Sequence, residues 1–211
     1  MAKLLQGIFG GVSGKIGNTI GSSWKGIPVI KTKPLSVANP RTASQVAQRS
    51  KFTYVTTLAS LLLGTIVKPL WDRFAVKQSG YNSFVSSNVA VMDSLFPFDL
   101  TAIAMSKGKM EATEFTADNI TSNESELKIE WVNDSGTGYK LDSDIAYAVV
   151  MDAANEKIYS VGGEVAREDE EITIPVDSQV LVNTGACVYL MFSRGDGTVV
   201  SNSKAVMFTS L

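Results

Sequence analysis

The chain has 211 residues, 45% of them apolar and 19% charged, a balance that belongs to a globular protein and excludes a disordered one. It contains no histidine, which removes the commonest general base and metal ligand, and one cysteine, which excludes an internal disulfide and a cysteine zinc site. The net charge of −2 hides a division: residues 1–100 carry eleven cations and three acids, residues 101–211 carry eight cations and eighteen acids, so the halves stand at +8 and −10.

The first segment, 1–38, is punctuated by Gly7, Gly10, Gly11, Gly14, Gly17, Gly21 and Gly26. Glycine costs a helix about 1 kcal/mol per position relative to alanine, so this segment is expected to be an extended or looped arm. Within it, TIGSSW-KG-IPVIKTK predicts a β-hairpin with strands Thr19–Trp24 and Ile27–Lys33 and Lys25-Gly26 at the turn. Pro28 suits an edge strand, because it cannot donate to a ladder. GGVSGK at 10–15 is a weak phosphate loop, since Ile16 follows where Ser or Thr is needed. The apolar run at the start is too short for a signal-peptide core, so the chain is expected to be made in the cytoplasm without an export signal.

The second segment, 39–97, is predicted to be a short helical unit. Asn39 suits an N-cap and Pro40 the first helical position. Ala43, Val46, Ala47, Phe52, Val55, Leu58, Ala59, Leu62 and Leu63 follow a helical period. Gly64 and Pro69 are expected to divide or kink the run. A second helix fits Tyr81–Asp93, with Phe84, Val85, Val89 and Met92 on one face. The tract LASLLLGTIV is too short to span a membrane. Arg41, Arg49 and Lys51 are unusual near a helix N-terminus, which favours anions.

The third segment, 98–211, reads as all β: an opening strand near Ala104–Lys109, then ELKIEW, DIAYAVVMD, KIYSVGG, EEITIPV and two closing strands joined around Gly195-Asp196-Gly197. About seven short strands at this spacing predict an immunoglobulin or fibronectin III-like β-sandwich, which makes the fold class α+β. Trp131 and Tyr189 are expected in its core, as is Cys187, a buried and unreactive thiol.

Candidate sites are sparse. Arg194-Gly195-Asp196 is ordinary turn chemistry, although fibronectin-type modules can display that tripeptide. Glu164, Glu168, Asp169, Glu170 and Glu171 lie in an exposed run, which suits a solvated loop or a docking patch better than the paired carboxylates of a glycosidase. Asp142 and Asp144 lack the spacing of a calcium loop. No cofactor, metal or catalytic set is expected. The scattered cations Lys15, Lys25, Lys31, Lys33, Arg41, Arg49 and Lys51, beside Trp24 and Phe52, match no standard nucleic-acid motif.

Gly14, Lys15, Gly17, Trp24, Lys25, Gly26, Pro34, Asn39, Pro40, Thr42, Gln45, Gln48, Arg49 and Phe52 carry a resemblance that covers the whole chain, with VYLMFSRGDGTVVSNS matching more loosely. The chain resembles an uncharacterised family of about this length found in Bacteroidetes genomes, their phages and prophages. That resemblance implies a structural role in a phage or phage-like particle and brings no catalytic residues. The expected function is therefore a non-enzymatic structural protein that self-assembles. Its basic interface would hold Lys15, Lys25, Lys31, Lys33, Arg41, Gln45, Gln48, Arg49 and Lys51, facing Glu164, Glu168, Asp169, Glu170 and Glu171 of another copy. The alternatives are a glycan- or receptor-binding module acting through the sandwich loops, and nucleic-acid binding by the basic half.

Overall fold

The computed structural model describes residues 3–4, 11–24, 27–36, 39–92, 99–123, 125–152, 157–176 and 185–209. The chain divides into two units, Met1–Thr42 and Ala43–Leu211, and combines helices with antiparallel sheets, an α+β protein.

The first unit is an antiparallel meander of β1 (Lys3–Leu4), β2 (Val12–Ile16), β3 (Thr19–Trp24) and β4 (Ile27–Thr32), in that spatial order. The expected hairpin is β3–β4, with Trp24 opposite Ile27, and its Lys25-Gly26 turn falls outside the described residues. The expected arm is corrected over residues 12–16, which form a strand paired to β3. Two glycines make this possible. Gly17, at φ 56°, supplies the left-handed backbone of the turn between β2 and β3. At Gly21 a Cβ would stand 2.0 Å from the Val12 carbonyl oxygen, so only glycine lets the strands approach so closely.

The second unit opens with α1 (Ala43–Leu61). Its start is three residues later than Pro40 predicts, with Thr42 in the N-cap position. The break expected at Gly64 and Pro69 is there. A single π turn, Leu63–Val67, leads into α2 (Lys68–Trp71), and the helical axis bends by 73°. The backbone amides of Ile66 and Val67 both donate to the Leu62 carbonyl, which keeps the bend hydrogen-bonded. α3 (Gly80–Val89) starts behind Ser79, whose hydroxyl accepts from the Asn82 amide at 3.2 Å. Among the described residues no single helix is long and apolar enough to cross a membrane.

Among the described residues seven strands follow: β5 (Ile120–Ser122), β6 (Glu126–Glu130), β7 (Ile145–Asp152), β8 (Ile158–Ala166), β9 (Glu171–Pro175), β10 (Ala186–Ser193) and β11 (Lys204–Phe208). They form two antiparallel sheets, ordered β5-β6-β9 and β11-β10-β7-β8. The opening strand expected near Ala104–Lys109 is not one. The backbone there is satisfied by side chains: Asn88 Nδ2 donates to the Ala104 carbonyl (3.0 Å) and Trp71 Nε1 to that of Met105 (2.8 Å).

The core has two layers, divided by the β11-β10-β7-β8 sheet. Ala146, Ala148 and Val150 of β7, with Val188, Leu190 and Phe192 of β10, face the three-stranded sheet and meet Leu127, Ile129, Ile172 and Ile174. The alternate residues, Tyr147, Val149, Met151, Cys187, Tyr189 and Met191, face the helices and meet Val55, Leu58, Ile66, Leu70 and Phe84. Helices 43–89 and the strands therefore close a shared core. Both central strands are covered on both faces, so they read as unbroken apolar runs, whereas β6 and β9 alternate.

Candidate assembly surfaces

Strand alternation and register set the first surface. Lys15, Ile20 and Lys31 lie opposite one another across β2, β3 and β4. Ile27 and Val29 share that face with Lys31, because side chains two apart on a strand point the same way. Lys15, Lys31, Ile27 and Val29 are exposed, as is all of β4. Over residues 11–23, 27–36 and 39–42 only Gly21 is buried. The sequence of this unit holds six cations and no acid, against thirteen cations and twenty-one acids in residues 43–211. Lys33 and Arg41 are exposed in it too, and Lys25 lies outside the described residues.

On α1, Gln45, Gln48, Arg49, Phe52 and Thr53 line one shallow open depression of about 420 Å³. Their spacing of three and four residues places them on one helix face. Lys51 is not among them. It is half-buried, in line with Val55 and Leu58, which turn toward the core.

The acids Glu164, Glu168, Asp169, Glu170 and Glu171 are all exposed, and several are engaged locally. Asp169 Oδ2 accepts from the Ala166 amide at 2.8 Å, and Glu170 Oε1 from the Asn133 amide at 3.2 Å. Lys128 pairs with Glu171 at 2.5 Å and Glu130 at 3.0 Å, which raises the lysine above its ordinary range. These two pairs, with Lys140–Asp134, Arg167–Asp134, Arg167–Asp144 and Lys204–Glu114, are formed among side chains of residues 114–204.

Arg167, hidden inside the acidic run, escaped the sequence reading. It is wholly buried, with its guanidinium carbon 3.9 Å from the centre of the Phe192 ring. Nη1 donates to Asp134 Oδ1 and Thr113 Oγ1, each at 2.5 Å, and Nη2 stands 3.5 Å from buried Asp144. Lys140 closes on the other oxygen of Asp134 at 2.5 Å. The Arg167 carbonyl accepts from Trp131 Nε1 at 3.0 Å, and Trp131 stands edge-on to Phe192 with ring centres 5.3 Å apart. A buried arginine persists only when paired in this way. Its signal in the sequence is a lone cation directly after the β8 residues Val165-Ala166.

Arg194-Gly195-Asp196 is a held turn. The Gly197 amide donates to the Arg194 carbonyl (2.7 Å), Asp196 Oδ1 accepts from the Thr198 amide (2.8 Å) and hydroxyl, and Arg73 Nη1 donates to the Asp196 carbonyl. The Thr198 hydrogen bonds hold the Asp196 carboxyl below its ordinary range. Cys187 is buried, as expected, and burial pushes its thiol up to about 11. Trp131 and Tyr189 are buried as well.

A family described as a family of unknown function (DUF6266) matches residues 11–207 of this chain. No curated protein matches it.

Proposed function

The chain belongs to the DUF6266 family, and from that premise we propose that it is a non-enzymatic structural protein that self-assembles through its basic N-terminal unit and acidic remainder. One observation carries the reading. Over residues 11–23, 27–36 and 39–42 the N-terminal unit shows no buried hydrophobic side chain, yet its four-stranded sheet exposes Ile27 and Val29 on one face and Ile16 and Ile30 on the other. A sheet of this size needs an apolar face covered to be stable, and a surface of this kind marks an interaction site. Its six cations meet no acid of their own unit, so the cover that fits best is acidic.

We read the two sheets of the second unit as a fibronectin III-like sandwich. The three-plus-four strand order, β5-β6-β9 against β11-β10-β7-β8, supports that reading. The location in a phage or phage-like particle rests on the sequence resemblance. The chemistry fits a structural role: the thiol is buried beyond easy ionisation, and Asp169, Glu170 and Glu171 of the exposed run bond to nearby amides and a lysine.

Sedimentation velocity of the full chain tests the proposal. We expect oligomers at low salt that dissociate as added salt screens charges beyond about 8 Å at physiological ionic strength and less above it. A monomer at every salt and protein concentration would refute it.

A further inference from the structure

One end of the two packed sheets is built like a receiving face. Residues 131–144 join β6 to β7, 167–170 join β8 to β9, and 194–203 join β10 to β11. The registers Ile145↔Ser193, Ile145↔Ala166 and Glu130↔Glu171 bring these three connections to the same end. Arg167 fixes the first two from beneath: it bonds to Asp134 and, outside them, to Thr113, and its backbone amide donates to the Asp144 carbonyl at 2.7 Å. Within the first, Asn133 Nδ2 donates to Asp142 Oδ1 at 2.8 Å, and it is tied to the other two by the Asn133 amide, which donates to Glu170, and by Arg194 Nη2, which donates to the Tyr139 carbonyl at 3.0 Å.

The fixed 131–144 connection exposes three large apolar side chains: Val132 at 76%, Tyr139 at 54% and Leu141 at 44%. Asp142, Glu168, Asp169 and Glu170 are exposed on the same end. Apolar groups on a preordered frame, with charge around them, bind at low entropic cost. The Lys15–Ile20–Lys31 row of the N-terminal sheet, with Ile27 and Val29 beside it, has the converse composition: apolar groups among cations, without an acid.

We propose that the 131–144 and 167–170 connections of one copy receive the face of the N-terminal sheet that bears Lys15, Lys31, Ile27 and Val29 from a second copy. The inference rests on the self-assembly reading and names its contact. Two different surfaces meet in it, so the contact is heterologous and either closes a ring or extends a filament.

Charge exchange on the full chain tests it. One variant reverses the sheet, Lys15→Glu with Lys31→Glu. The other lowers the charge of the receiving end, Glu168→Lys, which takes Asp142, Glu168, Asp169 and Glu170 from four negative charges to a net of two. The sheet reversal should weaken association at least about tenfold, because it sets glutamates against those acids, and Glu168→Lys should weaken it less, because exposed charge pairs count little singly. An equal mixture should recover pairwise association, since the unaltered sheet of the second variant then meets the unaltered receiving end of the first. Val132→Ser, which removes exposed apolar surface without touching a charge, should weaken association while leaving the melting temperature unchanged. If the unaltered chain associates and the charge variants associate equally well, this contact is wrong and self-assembly stands. An unaltered chain that stays monomeric overturns both. Cross-links between the two faces found only within single chains overturn the contact as well.

Discussion

Arg167 shows what a single side chain holds in place. Its guanidinium is the buried counter-charge of Asp134 and Asp144, and its backbone links the Trp131 ring to the Asp144 carbonyl. Removing it leaves buried Asp144 without a counter-charge, while Asp134 keeps Lys140, and breaking a buried pair in this way costs about 3–5 kcal/mol. Arg167→Ala should lose that much in urea denaturation, and a loss below about 1 kcal/mol would show that the cluster is dispensable. Replacing the whole cluster with packed apolar residues carries no such expectation, because no charge is then stranded. Cys187 makes a second prediction at this scale. With the thiol at about 11, a thiol reagent at pH 8 should react with the folded chain far more slowly than with the unfolded chain. The sign for stability follows. The folded state keeps the proton that the unfolded state has lost between about 9 and 11, so this group's stabilisation is complete below about 9 and falls away as pH rises to about 11. Burial also raises Tyr147 and Tyr189, and these act in the same direction. Denaturant titrations across that range check it, and stability that rises with pH there would contradict it.

Among the elements, the central strands explain what the sequence revealed and what it hid. β6 and β9 alternate as Glu-Leu-Lys-Ile-Glu and Glu-Ile-Thr-Ile-Pro, and alternation is the sign of a strand with one wet face. Their strand character was legible for that reason, and their pairing was not. β7 and β10 are unbroken apolar runs, and that pattern requires a cover on the second face as well. The cover is α1 to α3, read from sequence as a separate helical unit because periodicity reports which face of a helix is apolar and not what it meets. The strand predicted at 104–109 failed for a related reason, since buried Asn88 and Trp71 supply hydrogen bonds that a ladder would otherwise give. A fragment of residues 99–211 would bare Tyr147, Val149, Met151, Cys187, Tyr189 and Met191 at once. We expect it to aggregate, or to elute from size exclusion as a polydisperse species. A monomeric fragment that unfolds cooperatively would show that the helices are not part of that core. Leu58→Ala, a cavity beneath the same face, should cost about 2–5 kcal/mol by urea denaturation, and a near-neutral result would contradict the packing.

In the whole molecule, charge and burial separate along the same boundary. The N-terminal unit has cations, exposed apolar strands and no buried apolar side chain over residues 11–23, 27–36 and 39–42, whereas the second unit has a two-layered core and a surplus of acids. The charge division was plain in the sequence, because it is a matter of counting. The exposed N-terminal sheet was half legible: the β3–β4 hairpin could be read, but the dense glycines masked β2, since glycine at a close strand approach looks like glycine in a loop. The loop end with Val132, Tyr139 and Leu141 was not legible, because only the strand registers bring 131–144, 167–170 and 194–203 together. Its support was hidden too, since Arg167 sits among acids that read as a solvated run. The second unit should fold without the first, as its core is complete in itself. The most direct test of self-assembly through the N-terminal unit is light scattering on the full chain and on residues 43–211, compared across a salt series. The account predicts that the full chain forms oligomers that salt disperses, and that residues 43–211 are folded and monomeric throughout. Equal association of the two, or a full chain that is monomeric at low salt, would contradict it.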